Sequence, residues 1–264
     1  MLSVVESGSG EPLVLLHGWG LHGGVWKSIL PHLNENFHCY AVDMLGHGES
    51  QSSLSFSLDN MNLALDNLVS SIESNNIALL GWSLGGLVAM QYLSQNSKQT
   101  KKINSLMLVC SNACFCQKEE WRYAIEPEVL DGFADQLEKD YKKTVDKFMA
   151  LQMFGADDYK TSLKELKESV GSRLIPSLDA LTEGLKVLKN TDLTGKLKLI
   201  QQKVLMINGE HDRLVPYQAG ESMKSYFNNA QIKTIKGAGH APFISHKKEL
   251  IKVITEFNNE SQHV

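Results

Sequence analysis

The chain is short of almost everything that would take it out of the ordinary globular class. Four cysteines in 264 residues are too few for a disulfide scaffold. Cys114 and Cys116 are two apart, Cys39 and Cys110 sit in apolar runs, and all four read as reduced, packed thiols. No apolar run approaches the ~20 residues that cross a bilayer as a helix. Met1-Leu2-Ser3-Val4-Val5-Glu6 lacks the basic start and apolar centre of an export signal, so the expected compartment is the cytoplasm. An excess of one charge is also missing: 26 Lys and Arg stand against 30 Asp and Glu. No overall basic field recruits nucleic acid or a membrane surface. There is no H-E-x-x-H or other ligand spacing, and no G-x-G-x-x-G follows a strand, so neither a metal nor a cofactor is expected.

What the chain does contain is a repeated alternation. Short apolar runs at residues 12–16, 37–43, 77–80, 105–110, 203–207 and 231–235 have the length of buried strands, and most end in a loop bearing glycine. Between the second and third, residues 58–72 carry apolar side chains at helical spacing, with Ser57 as a suitable N-cap. Strand, loop, helix, strand in succession implies a parallel sheet covered on both faces. From residue 112 to 190 the strand-like runs disappear. Leu130, Phe133, Leu137 and Tyr141, then Val145, Phe148 and Met149, recur at helical spacing. The expected organisation is a core of residues 1–111 and 191–264 interrupted by a helical cap, residues 112–190. Within it Lys143 and Lys147 are four apart, as are Lys160 and Lys164, so each pair shares a helix face. Taken alone, lysines interspersed with glutamates describe a solvated surface.

The chemistry is concentrated at Gly81-Trp82-Ser83-Leu84-Gly85, where a strand reverses sharply into a helix. Glycines two residues to either side of Ser83 remove Cβ atoms that would collide in so tight a turn. The helix that follows aims its free N–H groups at the serine. Asp212 and His240 each lie in a loop after a later strand. Each alone has a plain explanation, Asp212 as a turn former near Pro216 and His240 as a loop residue. His17 and His47 likewise read as structural loop histidines. Together, Ser83, Asp212 and His240 fall in the chain order of a serine hydrolase triad at three strand ends. His240 takes the Ser83 proton during attack on a carbonyl, and Asp212 orients the imidazole and stabilises its charge. The backbone N–H groups of Trp19 and Leu84 are the two that this topology aims at the resulting oxyanion.

The His17-Gly18-Trp19-Gly20 loop, the spacing of Asp43, Gly46, His47, Gly48 and Ser50, the elbow, Asp212 and His240 resemble the α/β-hydrolase family across nearly the whole chain. Within it, Leu15-Leu16-His17-Gly18-Trp19-Gly20-Leu21, residues 81–89, Cys114-Phe115 with Glu120-Trp121, Ala150-Leu151-Gln152 and His240-Ala241-Pro242-Phe243-Ile244-Ser245-His246 resemble the pimeloyl-[acyl-carrier protein] methyl ester esterases of biotin synthesis. The resemblance implies an α/β-hydrolase fold, a mostly parallel sheet flanked by helices with an inserted helical cap. It implies removal of a methyl group from the pimeloyl chain on an acyl carrier protein, releasing methanol. The enzyme would be a monomer with no nucleic-acid or membrane partner. Carried over by residue, Ser83, Asp212 and His240 are catalytic, and Trp19 and Leu84 form the oxyanion hole. Trp19, Ser83, Leu84, Phe148, Met149, Ala150, Leu151, Gln152 and His240 bind substrate.

Carrier docking falls to Lys143, Lys147, Lys160 and Lys164, where arginine is expected; lysine keeps the charge and loses the planar fork. Two other readings stay open, a broad carboxylesterase or thioesterase on the same triad and an idle hydrolase-fold receptor. Dehalogenase and epoxide hydrolase chemistry is disfavoured because it needs aspartate where Ser83 stands. The fold usually opens with a hairpin before the first central strand, so one edge strand is expected to be missing or reduced to residues 2–6.

Overall fold

The computed structural model describes residues 1–50, 54–156, 158–171 and 176–262. In chain order the elements are β1 (Ser3–Gly8), β2 (Glu11–Leu16), α1 (Leu30–Leu33), β3 (Phe37–Asp43), α2 (Leu58–Ser71), β4 (Ile77–Trp82), α3 (Leu84–Leu93) and β5 (Ile103–Val109). There follow α4 (Pro127–Lys139), α5 (Tyr141–Gln152), α6 (Tyr159–Val170) and α7 (Leu178–Asn190). The chain closes with β6 (Lys203–Gly209), α8 (Tyr217–Lys224), β7 (Ala230–Ile235), α9 (Pro242–Ser245) and α10 (Lys247–Gln262).

Seven strands form one sheet in the order β1-β3-β2-β4-β5-β6-β7, parallel throughout except for β1. The apolar runs become strands because both faces are covered: Leu13, Val14, Leu15 and Leu16 are fully buried, and every residue of β4 is buried. Each such aliphatic side chain contributes about 1.5–3 kcal/mol by leaving water. The helix between the second and third strand-like runs is α2, and the Ser57 hydroxyl accepts from the Asn60 N–H at 3.2 Å as its cap. Met61, Leu65 and Val69 supply its buried face, which packs on α3.

The N-terminal end has one strand where the fold usually has a hairpin, as expected, and that strand is not reduced. Residues 3–8 pair antiparallel with β3 along their full length, from Ser3 opposite Asp43 to Gly8 opposite His38. β1 is nevertheless no hairpin partner of β2, because β3 lies between them in the sheet. Gly8, at φ +81°, makes that crossing feasible: a Cβ there would stand 2.4 Å from the Phe37 carbonyl oxygen.

Among the described residues, four α-helices, α4 to α7, occupy the stretch between β5 and β6. The chain leaves and rejoins the sheet at one point, where Cys114 bridges Asp192 and the Leu193 N–H donates to the Ala113 carbonyl at 2.9 Å. The Trp19 indole N–H donates to the Leu181 carbonyl on α7 at 2.8 Å, and Lys247 pairs with Glu165 on α6. Among the described residues no helix is long and apolar enough to cross a membrane.

Candidate active site

Ser83 sits between β4 and α3 with φ 54° and ψ −121°, a conformation an L-residue holds only under constraint. The constraint is visible on every side. The Ser83 N–H donates to the Val109 carbonyl at 3.0 Å, and its own carbonyl accepts from the Ser111 hydroxyl at 2.8 Å. A Cβ on Gly81 would lie 2.5 Å from the Gly85 carbonyl oxygen, and one on Gly85 would lie 2.4 Å from that of Leu16. Those two contacts are why the elbow needs glycine at both places.

Three strand ends deliver three side chains to one point. The His240 Nδ1–H donates to Asp212 Oδ2 at 2.7 Å, which leaves Nε2 to accept from the Ser83 hydroxyl at 3.0 Å. Asp212 is itself held by the Leu214 and Val215 N–H groups, which donate to Oδ1 at 2.8 and 2.9 Å. His240 is anchored from behind, because the Trp82 indole N–H donates to its carbonyl at 2.8 Å. All three groups are buried, Ser83 to within 3% of full enclosure. The relay therefore lies in low dielectric, where hydrogen bonds between charged partners are strong.

Opposite the serine lies the loop after β2. A Cβ on Gly18 would reach within 3.3 Å of the Ser83 Cβ, so the backbone of residues 17–19 runs alongside the nucleophile. Leu84 is the first residue of α3, and its N–H, like that of Trp19, meets no acceptor among the described residues. The loop is braced by histidines. The Met44 N–H donates to His17 Nε2 at 3.0 Å, so the proton sits on Nδ1, which donates to the Gly18 carbonyl at 2.8 Å. Burial, then the neighbouring His47, holds the His17 pKa well below its ordinary value, and burial brings that of His47 down to about 4. Asp43 accepts from the Gly23 N–H at 2.7 Å and the Glu49 N–H at 2.9 Å, shaping the neighbouring turn. His17 thus ties the loop after β2 to the loop after β3.

Of the cap residues singled out in the sequence, Phe148 packs edge-on against Trp19 with ring centroids 4.7 Å apart. Met149 is buried, Ala150 and Leu151 are half-buried, and Gln152 is buried with neither amide atom hydrogen-bonded among the described residues. Lys143 and Lys147 are exposed on α5, and Lys160 and Lys164 on α6. The Lys147 ammonium donates to Gln136 Oε1 at 2.7 Å, and Lys164 lies 3.8 Å from Glu168.

Several contributors escape sequence reasoning. Cys110, buried at φ 46°, places its thiol with Asp212 and His240 so that their ligand atoms lie within 4.8 Å of one another. Such a trio could in principle hold a metal. Here its donors are spent on protein: Asp212 on three N–H groups, His240 on Asp212 and Ser83, and the Cys110 thiol on the Gly239 carbonyl. Burial, then Asp212, pushes the Cys110 thiol pKa well up, so it is not a thiolate ligand at neutral pH. Gly184 is also concealed, since a Cβ there would stand 2.7 Å from Trp19 Cδ1. Nothing in the spacing of residues betrays either contact.

Residues 11–247 match the family described as alpha/beta hydrolase fold. The chain is 37% identical over 250 residues to the pimeloyl-[acyl-carrier protein] methyl ester esterase of Yersinia pseudotuberculosis serotype IB (strain PB1/+), covering 95% of this chain and 94% of that one. It is 32% identical to the enzyme of the same name from Nitrosomonas europaea, covering 95% and 96%. Among solved structures, the esterase EaEST from Exiguobacterium antarcticum superposes with a TM-score of 0.88 at 20% identity, over 97% of this chain and 94% of that one. Bromoperoxidase from Bacillus anthracis does so with a TM-score of 0.87 at 23% identity, over 98% and 95%. At those identities the two structures speak for the fold.

Proposed function

The chain belongs to the alpha/beta hydrolase fold family, and from that membership, with its full-length likeness to the esterases above, we propose that it demethylates pimeloyl-[acyl-carrier protein] methyl ester in biotin synthesis. The products are methanol and pimeloyl-[acyl-carrier protein]. The observation that carries the chemistry is the unbroken relay from Ser83 through His240 to Asp212.

In this reading Ser83 Oγ attacks the carbonyl carbon of the methyl ester as its proton passes to His240 Nε2. The Trp19 and Leu84 N–H groups receive the oxyanion, and loss of one such donor typically costs ~10²–10³ in turnover. Asp212 holds the imidazolium that forms. The tetrahedral intermediate expels the methoxy group, which takes the proton from His240 and leaves as methanol, so the acyl chain stays on Ser83. Water then gives a proton to His240 and attacks the acyl carbon, and Ser83 recovers its proton as the carboxylate departs. The thioester joining the chain to the carrier is left intact.

Residues 112–190 form the cap over a core of 1–111 and 191–264, and Phe148, Met149, Ala150, Leu151 and Gln152 line the acyl path. The unpartnered Gln152 amide suits a polar group of the substrate in an otherwise apolar wall. Lys143, Lys147, Lys160 and Lys164 meet the acidic carrier. The enzyme works in the cytoplasm, a compartment its four unpaired cysteines tolerate.

The test is incubation with pimeloyl-carrier methyl ester, followed by mass spectrometry of the carrier. We expect loss of one CH₂ from the carrier-bound chain with wild type and none with Ser83→Ala. Appearance of the free carrier thiol would mean thioester cleavage and overturn the assignment. So would an unchanged carrier beside brisk hydrolysis of para-nitrophenyl acetate.

A further inference from the structure

A cavity of about 160 Å³ opens between the loop after β2 and the cap helix α5. Its inner wall is apolar, formed by Gly20 and Leu21 from the loop and by Val145 and Met149 from the helix. Gly20 directly follows Trp19, and Met149 directly follows Phe148, whose ring rests on that tryptophan. The cavity wall thus stands one residue from the Trp19–Phe148 contact on either side, and Trp19 belongs to the loop whose Gly18 runs beside Ser83.

The charges at the rim are unequally committed. Asp146 is paired with Lys167 of α6 at 3.4 Å. His22 accepts from the Gly24 N–H through Nδ1 at 3.0 Å and so donates through Nε2 to the Val170 carbonyl at 3.0 Å. Lys142 stands one helical turn before Asp146, is exposed, and has no partner among the described residues. Among the described residues the rim thus holds a neutralised pair beside one open ammonium. It suits a ligand that is narrow and uncharged along its length and anionic at its outer end.

An acyl carrier protein presents its cargo on such a ligand, a pantetheine arm rooted in a phosphodiester. Resting on the function proposed above, we infer that Lys142 binds the phosphodiester of that arm as the arm threads between Gly20 and Met149. This separates reading the arm from gripping the carrier. Neither Lys143 nor Lys147 lines the cavity, and Lys147 is turned to Gln136 on α4. Lys160 and Lys164 border a different, open groove along α6.

The experiment compares two small methyl esters, pimeloyl-pantetheine and the same molecule carrying the terminal phosphate, together with the carrier-bound ester. Wild type should show kcat/KM about five- to tenfold higher for the phosphorylated arm, the scale of one partly exposed charge-assisted contact. Lys142→Ala should bring that ratio to about one, Lys142→Arg and, as a control on the exposed face of α8, Lys224→Ala should keep it, and para-nitrophenyl acetate should be hydrolysed equally by all four. A ratio left intact in Lys142→Ala, equal rates on the two arms, or no turnover of either arm overturns the inference. If wild type still demethylates the carrier-bound ester in those cases, the proposed function survives and only the assignment of Lys142 falls. Failure on the carrier-bound ester removes both.

Discussion

The rim of the sheet and the outer face of the cap hold their polar groups in opposite ways. At the rim, Asp212, His240, Asp43 and His17 are buried, and their hydrogen-bonding atoms are taken by specific partners. On the cap, Lys143, Lys147, Lys160 and Lys164 are exposed, and an ion pair such as Lys164 with Glu168 is long and washed by solvent. A group at the rim acts in low dielectric on a fixed neighbour, so removing it leaves a buried partner unsatisfied. A group on the cap acts through screened attraction, so removing it changes how often a partner arrives more than what happens afterwards.

The sharpest way to break that contrast is Asp212→Asn. Loss of the carboxylate should lower kcat by about 10⁴-fold through the wrong histidine tautomer. The fall should be equal for a small free ester and for the carrier-bound ester, as steady-state kinetics on both will show; a loss confined to one substrate would refute the division.

A smaller effect is expected from acid. His47 has a folded pKa near 4 against an ordinary value of 6.5. The unfolded chain therefore binds the proton first. The stabilisation is complete above pH 6.5 and is lost as pH falls toward 4. His47 alone should account for about 3 kcal/mol of that loss, and His17, shifted the same way, adds to it. Urea unfolding at pH 7 and pH 4.5 measures the drop. His47→Asn should shrink it, and an unchanged drop would mean that the buried histidines are not its source.

The smallest effect belongs to the cap. Charge reversal of Lys143 and Lys147 to Glu should raise KM for the carrier-bound ester about tenfold while leaving kcat and the small free ester alone. Added salt should move wild type in the same direction. Equal changes on both substrates would place these lysines with the catalytic rim instead.

Much of the scaffold was legible because it rests on local rules. Apolar runs of strand length became β2 to β7, Ser57 capped α2, and the lysine pairs fell on α5 and α6. The elbow was legible for the same reason, since two glycines around a serine are dictated by clashes within a few residues. The extent of the edge strand was not legible because β1 carries no apolar run: its six residues are held by pairing with β3 rather than by their own pattern. His17 was legible as a structural histidine but not as a brace, because its partner, the Met44 N–H, lies 27 residues away. Cys110 against Asp212, Gly184 against Trp19 and the exposed ammonium of Lys142 left no mark at all.

By itself, the order of residues determined where the chain turns, which segments are buried and which three side chains were candidates for the relay. Alternation, capping and steric clash act over a few bonds and so are written in spacing. Only the folded molecule decided that Ser83, Asp212 and His240 stand within hydrogen-bonding reach, that Trp82 and Asp43 brace what surrounds them, and which lysine borders the cavity. Those facts depend on distances between segments brought together by the sheet, and a linear sequence does not specify such distances until strand order and register have been set.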